Sequence, residues 1–206
     1  MNNANFTQLG QFVAYAQKRF DLGLLAGGFA DARPQPDSPA RAVGLSLVLC
    51  EVVQIPSLLQ FQAETQLPQW QRWVGYPHPL SHDTFGYVSE RMDSDQLRRA
   101  GIWINRKLKR GKAFEANKIN GLLAVSLDAN EQFCSDHRCC EDCLTREVTG
   151  QDAQGQEFKK TQYYHQQVYA QLSGPKLSVI LDVEPMRRGE EECAAALRRL
   201  RRMRQK

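Results

Sequence analysis

At Gly121 the hydrophobic period of the chain changes, and that change limits the folds open to it. Before it, apolar residues recur at helical spacing, and Leu9, Phe12, Val13, Ala16 and Phe20 make one stripe. After it, Gly121-Leu-Leu-Ala-Val-Ser-Leu-Asp128 is a short apolar run with turn formers on either side, the pattern of a buried strand. Helical and extended segments in series predict a mixed α/β (α+β) chain. Its helical N-terminal region covers residues 1–118 and its strand-bearing region covers residues 119–206.

Within the helical region, the proline-rich stretch over residues 31–40 must break the first helix. Residues 43–55 read as a buried helix ended by Pro56, and Ser57 is placed to cap the next, which carries Leu58, Leu59 and Phe61. A turn at Gly75-Tyr-Pro-His-Pro79 precedes the capping sequence Ser81-His-Asp-Thr84. Residues 95–112 form a further helix, with Leu97, Ile102 and Leu108 inside and basic residues outside. In the strand-bearing region, strands are expected over residues 122–128, 163–172 and 177–183, with a turn at Ser173-Gly-Pro175. A helix over residues 190–204 follows, with Cys193, Ala196, Leu197 and Leu200 on one side. Three strands and one helix make a thin, unfinished sheet.

A hydrophobic fraction of 42% and a charged fraction of 24% are those of a globular chain, not a disordered one. The net charge of +4 says little, but its distribution says more. Arg98, Arg99, Arg106, Lys107, Lys109, Arg110 and Lys112 form one basic group; Arg198, Arg199, Arg201, Arg202, Arg204 and Lys206 form another. Either could neutralise phosphates, or could be a solvated helix face. The N-terminus lacks the basic start and apolar stretch of a signal peptide. Residues 43–55 are too short and too polar to span a bilayer, so no membrane is expected. A cytoplasmic protein is expected, with six cysteines present as thiols or metal ligands.

Two constellations could carry chemistry. Asp128, at the end of its strand, either opens a turn or holds a metal, and Asp182 and Glu184 flank Val183 at the end of the third strand. Together the three acids could hold a divalent cation such as Mg²⁺. Cys134, His137, Cys139, Cys140 and Cys143 form a Cys-rich insertion over residues 134–143, and the Cys140-x-x-Cys143 spacing suits two ligands of a Zn²⁺ site. No second pair follows; His165 and Cys50 are the remote candidates, and reduced thiols in a polar loop are the alternative. No Walker loop, dinucleotide fingerprint, Gly-x-Ser-x-Gly elbow or His-Glu-x-x-His helix is present.

The series Ala124-Val-Ser-Leu-Asp128-Ala-Asn-Glu131, Cys139-Cys-Glu-Asp-Cys-Leu-Thr-Arg146, Tyr163-Tyr-His165, Leu181-Asp-Val-Glu-Pro185 and Gly189-Glu-Glu-Glu-Cys-Ala-Ala-Ala196 resembles bacterial insertion-sequence DDE transposases. The resemblance implies an RNase H-like catalytic domain over residues 119–206, with Asp128 as the first catalytic acid. Ala129 stands where that family usually has glycine. In such enzymes three acids hold Mg²⁺ or Mn²⁺ for phosphodiester cleavage and strand transfer. The second acid follows the helix after the first three strands, so this reading expects an incomplete, truncated domain, inactive alone.

The implied partner is DNA at transposon ends, engaged by Arg106, Lys107, Lys109, Arg110 and Lys112, with a second copy of the chain left open as another. Two rivals stand beside it: a non-catalytic DNA-binding module using the two basic helices, and a small zinc-stabilised structural protein built on the cysteine cluster.

Overall fold

The computed structural model of the chain describes residues 3–151 and 153–204, with side chains described over 7–151 and 153–202. It is mixed α+β and forms two compact units, Met1–Lys107 and Leu108–Lys206. The division falls inside a helix, earlier than the change of period. Residues 108–118, expected with the helical region, therefore belong to the sheet unit.

The first unit is helical: α1 (Asn3–Phe20), α2 (Leu22–Gly27), α3 (Ala40–Val53), α4 (Leu58–Thr65), α5 (Pro68–Val74), α6 (His82–Ser89) and most of α7 (Ser94–Arg110). The expected caps form. Ser57 Oγ accepts from the Gln60 N–H at 3.1 Å, and Ser81 Oγ accepts from the Thr84 N–H at 3.1 Å. Helix α3 ends where Gln54 turns left-handed, at φ 56°, two residues before Pro56. It is the buried axis of the unit, with Val43 and Leu49 fully enclosed. A Cβ on Gly44 would lie 2.5 Å from the Phe29 ring, so only glycine lets that ring pack there.

Aromatic packing closes this core. Phe61 has Trp70 and Phe85 each 4.9 Å away between ring centroids, and the Trp70 indole N–H donates to Ser46 Oγ at 3.3 Å. In α7, Leu97 is exposed and Ile102 and Leu108 are half-buried, so the apolar stripe expected inside is not enclosed.

The second unit opens with a 3-10 turn at Glu115–Asn117 and continues as β1 (Ala124–Ser135), β2 (Leu144–Gln151), β3 (Glu157–Ser173), β4 (Val179–Pro185) and α8 (Glu192–Arg204). All pairings are antiparallel around the long central strand β3. Strand β1 runs along one side of β3, from Ala124↔Ser173 to Ser135↔Tyr163. On the other side β2 pairs with the first half of β3 and β4 with the second half. Asn117 is buried in this unit, donating to the Leu177 carbonyl, and a Cβ on Gly174 would come within 2.7 Å of its side-chain amide.

Two expectations change here. The first strand does not stop at Asp128 but continues through the expected turn to Ser135, because β3 is long enough to pair all of it. Strand β2 is an addition to the expected elements; its β-branched Thr145 is separated from Val148 and Thr149 by Arg146 and Glu147, and Gly150 follows, which hides the alternation. No single helix among the described residues is long and apolar enough to cross a membrane.

Replacing Phe61 with alanine removes the ring that Trp70 and Phe85 share. The expected cost is about 3–5 kcal/mol of stability, read by urea unfolding. A loss below about 1 kcal/mol would show that this aromatic cluster does not hold the first unit together.

Candidate functional site

The two faces of the sheet separate the carboxylates. Side chains of directly opposed residues share a face, and successive residues alternate. Asp128 opposes Tyr169, which opposes Val183; Asp182 opposes Ala170 and Glu184 opposes Val168. Asp128 therefore lies on one face and both Asp182 and Glu184 on the other. The three acids do not form the expected cluster.

Asp182 and Glu184 are instead bound to α8. Arg199 Nη2 lies 2.8 Å from Asp182 Oδ2, with side-chain exposures of only 6% and 2%. Glu184 receives two arginines, Arg198 Nε at 2.7 Å and Arg202 Nη1 at 2.9 Å. Arg198 also pairs with Glu190 and donates to the Pro185 carbonyl at 2.7 Å. The buried stripe of α8 thus runs through Ala195 and these arginines, while Cys193, Leu197 and Leu200 are exposed. The buried side is not the apolar one. The acids on β3's neighbour draw the arginines inward, because a buried carboxylate must be paired.

The same pairing withdraws Arg198, Arg199 and Arg202 from the C-terminal basic group; Lys206 and the Arg204 side chain lie outside the described residues. In and after the last turns of α7, Arg106, Lys109, Arg110 and Lys112 are exposed and have no ion-pair partner among the described residues. Lys107 lies over the Trp103 ring, 4.6 Å from its centroid.

Asp128 is exposed in the middle of β1, the outer edge of which pairs with no strand among the described residues. No second carboxylate joins it in a group able to hold a metal ion among the described residues. A lone exposed aspartate does not fit a magnesium or manganese site of the kind phosphoryl transfer requires, which takes several oxygen ligands.

The cysteine-rich segment is brought together differently. Cys140 Sγ and Cys143 Sγ each lie 3.3 Å from His165 Nε2, and 3.6 Å from each other. The Cys140 N–H also points at Cys143 Sγ, at 3.2 Å. Cys143 is buried, His165 half-buried and Cys140 exposed. The β1–β2 loop is fixed at both ends. Lys160 Nζ pairs with Asp136 at 2.5 Å, holding that carboxyl below the usual carboxylate range. Arg188 Nε donates to the Cys143 carbonyl at 2.8 Å and its Nη2 to the Cys140 carbonyl at 3.3 Å.

The other expected ligands fall outside this group. Cys134 opposes Tyr164 on β3, one residue from His165, and so shows its side chain on the other face, where it accepts from Arg146 Nη2 at 3.7 Å. His137 and Cys139 are exposed in the loop. Cys50 is buried in the first unit, where burial pushes its thiol up. His165 was named only as a remote candidate; the signal was its place in Tyr163-Tyr-His165, on a strand whose register with β2 could not be read before β2 was known.

In comparisons with protein families, curated proteins and solved structures, the chain matches none of them.

Two tests address the acid–arginine lattice. Asp182→Ala leaves Arg199 buried without its carboxylate and should cost about 3–5 kcal/mol in urea unfolding, with Asp182→Leu/Arg199→Leu recovering most of it. A cost below about 1 kcal/mol for the single variant would contradict a buried pair. The Arg198 guanidinium beside Glu190 holds that carboxyl below its ordinary value. A depressed folded value gives stability that is present above the unfolded value and lost as pH falls through the folded one. Melting temperature should therefore decline as pH falls below about 4.3. Glu190→Gln should flatten that decline; an identical acid limb in the variant would contradict the pairing.

Proposed function

We propose that this chain works in DNA transposition as part of a metal-dependent phosphodiester-transfer enzyme, and that by itself it binds DNA without cutting or joining it. The observation that carries this reading is Asp128. It is an exposed acid without a hydrogen-bond or ion-pair partner among the described residues, in the first strand of an antiparallel series β1, β3, β4 that is followed by helix α8. Three paired strands and then a helix is the order that the resemblance to DDE transposases implies, with β2 added beside the central strand.

The inactivity of the isolated chain follows from the same sheet. Asp182 and Glu184 are the acids nearest in register, and both are held by arginines on the opposite face. They cannot supplement Asp128. The chain's own contribution to DNA is electrostatic, through Arg106, Lys109, Arg110 and Lys112 at the end of α7, whose charges are not spent on acids. Arg198, Arg199 and Arg202 of α8 contribute little, since their charge is compensated inside the unit.

The absence of an assembled carboxylate site also favours a second reading, a DNA-binding module that occupies transposon ends without catalysing anything. One experiment addresses both. Purified chain is titrated with duplexes carrying the inverted repeats that flank its gene, and with random duplex, over a range of salt. Tighter binding to the repeats is expected, with the logarithm of affinity falling linearly against that of salt. Changing Arg106, Lys109, Arg110 and Lys112 together to alanine should lower that slope by about 3–4. Equal, weak binding to both duplexes would overturn both readings. Nicking or joining by the isolated chain in Mg²⁺ or Mn²⁺, abolished by Asp128→Ala, would overturn the claim that it is inactive alone and leave the transposase reading as the survivor.

A further inference from the structure

We infer that Cys140, Cys143 and His165 bind one Zn²⁺ ion, which staples the β1–β2 loop to the central strand β3. This site is independent of the transposition reading, since it uses neither Asp128 nor the basic residues of α7.

The geometry is that of three corners of a coordination tetrahedron. Zinc bonds of about 2.3 Å to sulfur and 2.0–2.1 Å to imidazole nitrogen, at tetrahedral angles, place two sulfurs about 3.8 Å apart and each sulfur about 3.5 Å from the nitrogen. The observed separations are 3.6 Å between the sulfurs and 3.3 Å from each to His165 Nε2. A disulfide would bring the sulfurs to about 2.05 Å, and both cysteines are free thiols. Two sulfurs and an imidazole nitrogen converging on one point suit a borderline-soft cation such as Zn²⁺.

The surroundings hold the ligands in place. The Cys140 N–H donates to Cys143 Sγ at 3.2 Å. Arg188 holds both the Cys140 and Cys143 carbonyls, which fixes the loop backbone independently of any metal. Phe133 lies beside the imidazole, 6.1 Å between ring centroids, on the same face of the sheet. The ligands come from two places in the sequence, a tight Cys-x-x-Cys loop and a strand, as in many structural zinc sites.

Binding is a simple exchange. The two thiols release their protons to solvent as their sulfurs bond to Zn²⁺, and neutral His165 bonds through Nε2 with no redox change. The fourth position lies on the exposed Cys140 side and takes water, since no fourth Cys, His, Asp or Glu donor joins the group among the described residues.

Full-length chain purified without added zinc, and reloaded with Zn²⁺ or Co²⁺ after chelation, tests this directly. About one zinc per chain is expected by elemental analysis, and Co²⁺ should give the thiolate charge-transfer band and intense visible bands of a four-coordinate site. Cys140→Ser, exposed and so safe for folding, should abolish both, as should Cys143→Ser and His165→Gln. Cys134→Ser, His137→Gln and Cys139→Ser should leave both unchanged. The inference is overturned if folded, reduced wild-type protein holds no zinc after reloading. It is equally overturned if Cys140→Ser and His165→Gln keep their zinc, or if loss of Cys134, His137 or Cys139 removes it.

Discussion

The buried pairing of Asp182 and Glu184 with the arginines of α8 decides more about this protein than any other interaction. A carboxylate with 2% side-chain exposure cannot stay charged alone, so Asp182 requires Arg199 and the helix must turn that residue inward. Glu184, with two arginines, repeats the demand one step along the same strand face. The orientation of α8, the face of the sheet it covers and the face it leaves to Asp128 all follow from those pairs. So does the fate of Arg198, Arg199 and Arg202 in the C-terminal basic group, whose charge is spent inside the unit rather than offered to a polyanion.

This division of labour separates structural charge from available charge. Among the acids of the sheet unit, Asp182, Glu184 and Glu190 serve packing, while Asp128 stands exposed at an edge strand. Among the bases, Arg198, Arg199 and Arg202 of α8 serve packing, while the end of α7 keeps its charges facing solvent. The cysteine-rich loop belongs to neither group; its chemistry is local, between one loop and one strand.

Much of the fold was legible in the sequence, for reasons that can be named. Ser57 and Ser81 cap helices because their hydroxyls accept from backbone N–H groups of the first turn, and Pro56 marks a limit that α3 respects by ending at Val53. Which side of α8 is buried was not legible, because its apolar side, with Leu197 and Leu200, is exposed; only the acids of β4, distant in sequence, turn the arginines inward. The end of β1 was misread because Asp128-Ala-Asn130 is turn-like locally, and a long partner strand overrides local preference. The cluster proposed to bind zinc was half legible: Cys140 and Cys143 from their spacing, but Cys134 could be sorted from His165 only by the register of β1, β2 and β3. Alternation across strands decides which face a ligand occupies, and register is not written in spacing.

Because Asp182 and Glu184 serve α8, Asp128 is left without partners for a cation. Manganese binding by the purified chain, followed by the loss of the free Mn²⁺ paramagnetic resonance signal, measures this most directly. No site tighter than about millimolar is expected in the wild-type chain, and no difference on changing Asp128 to asparagine. A micromolar site that disappears in both Asp128→Asn and Asp182→Asn would contradict it, because the two carboxylates would then share an ion that the two faces of the sheet keep apart.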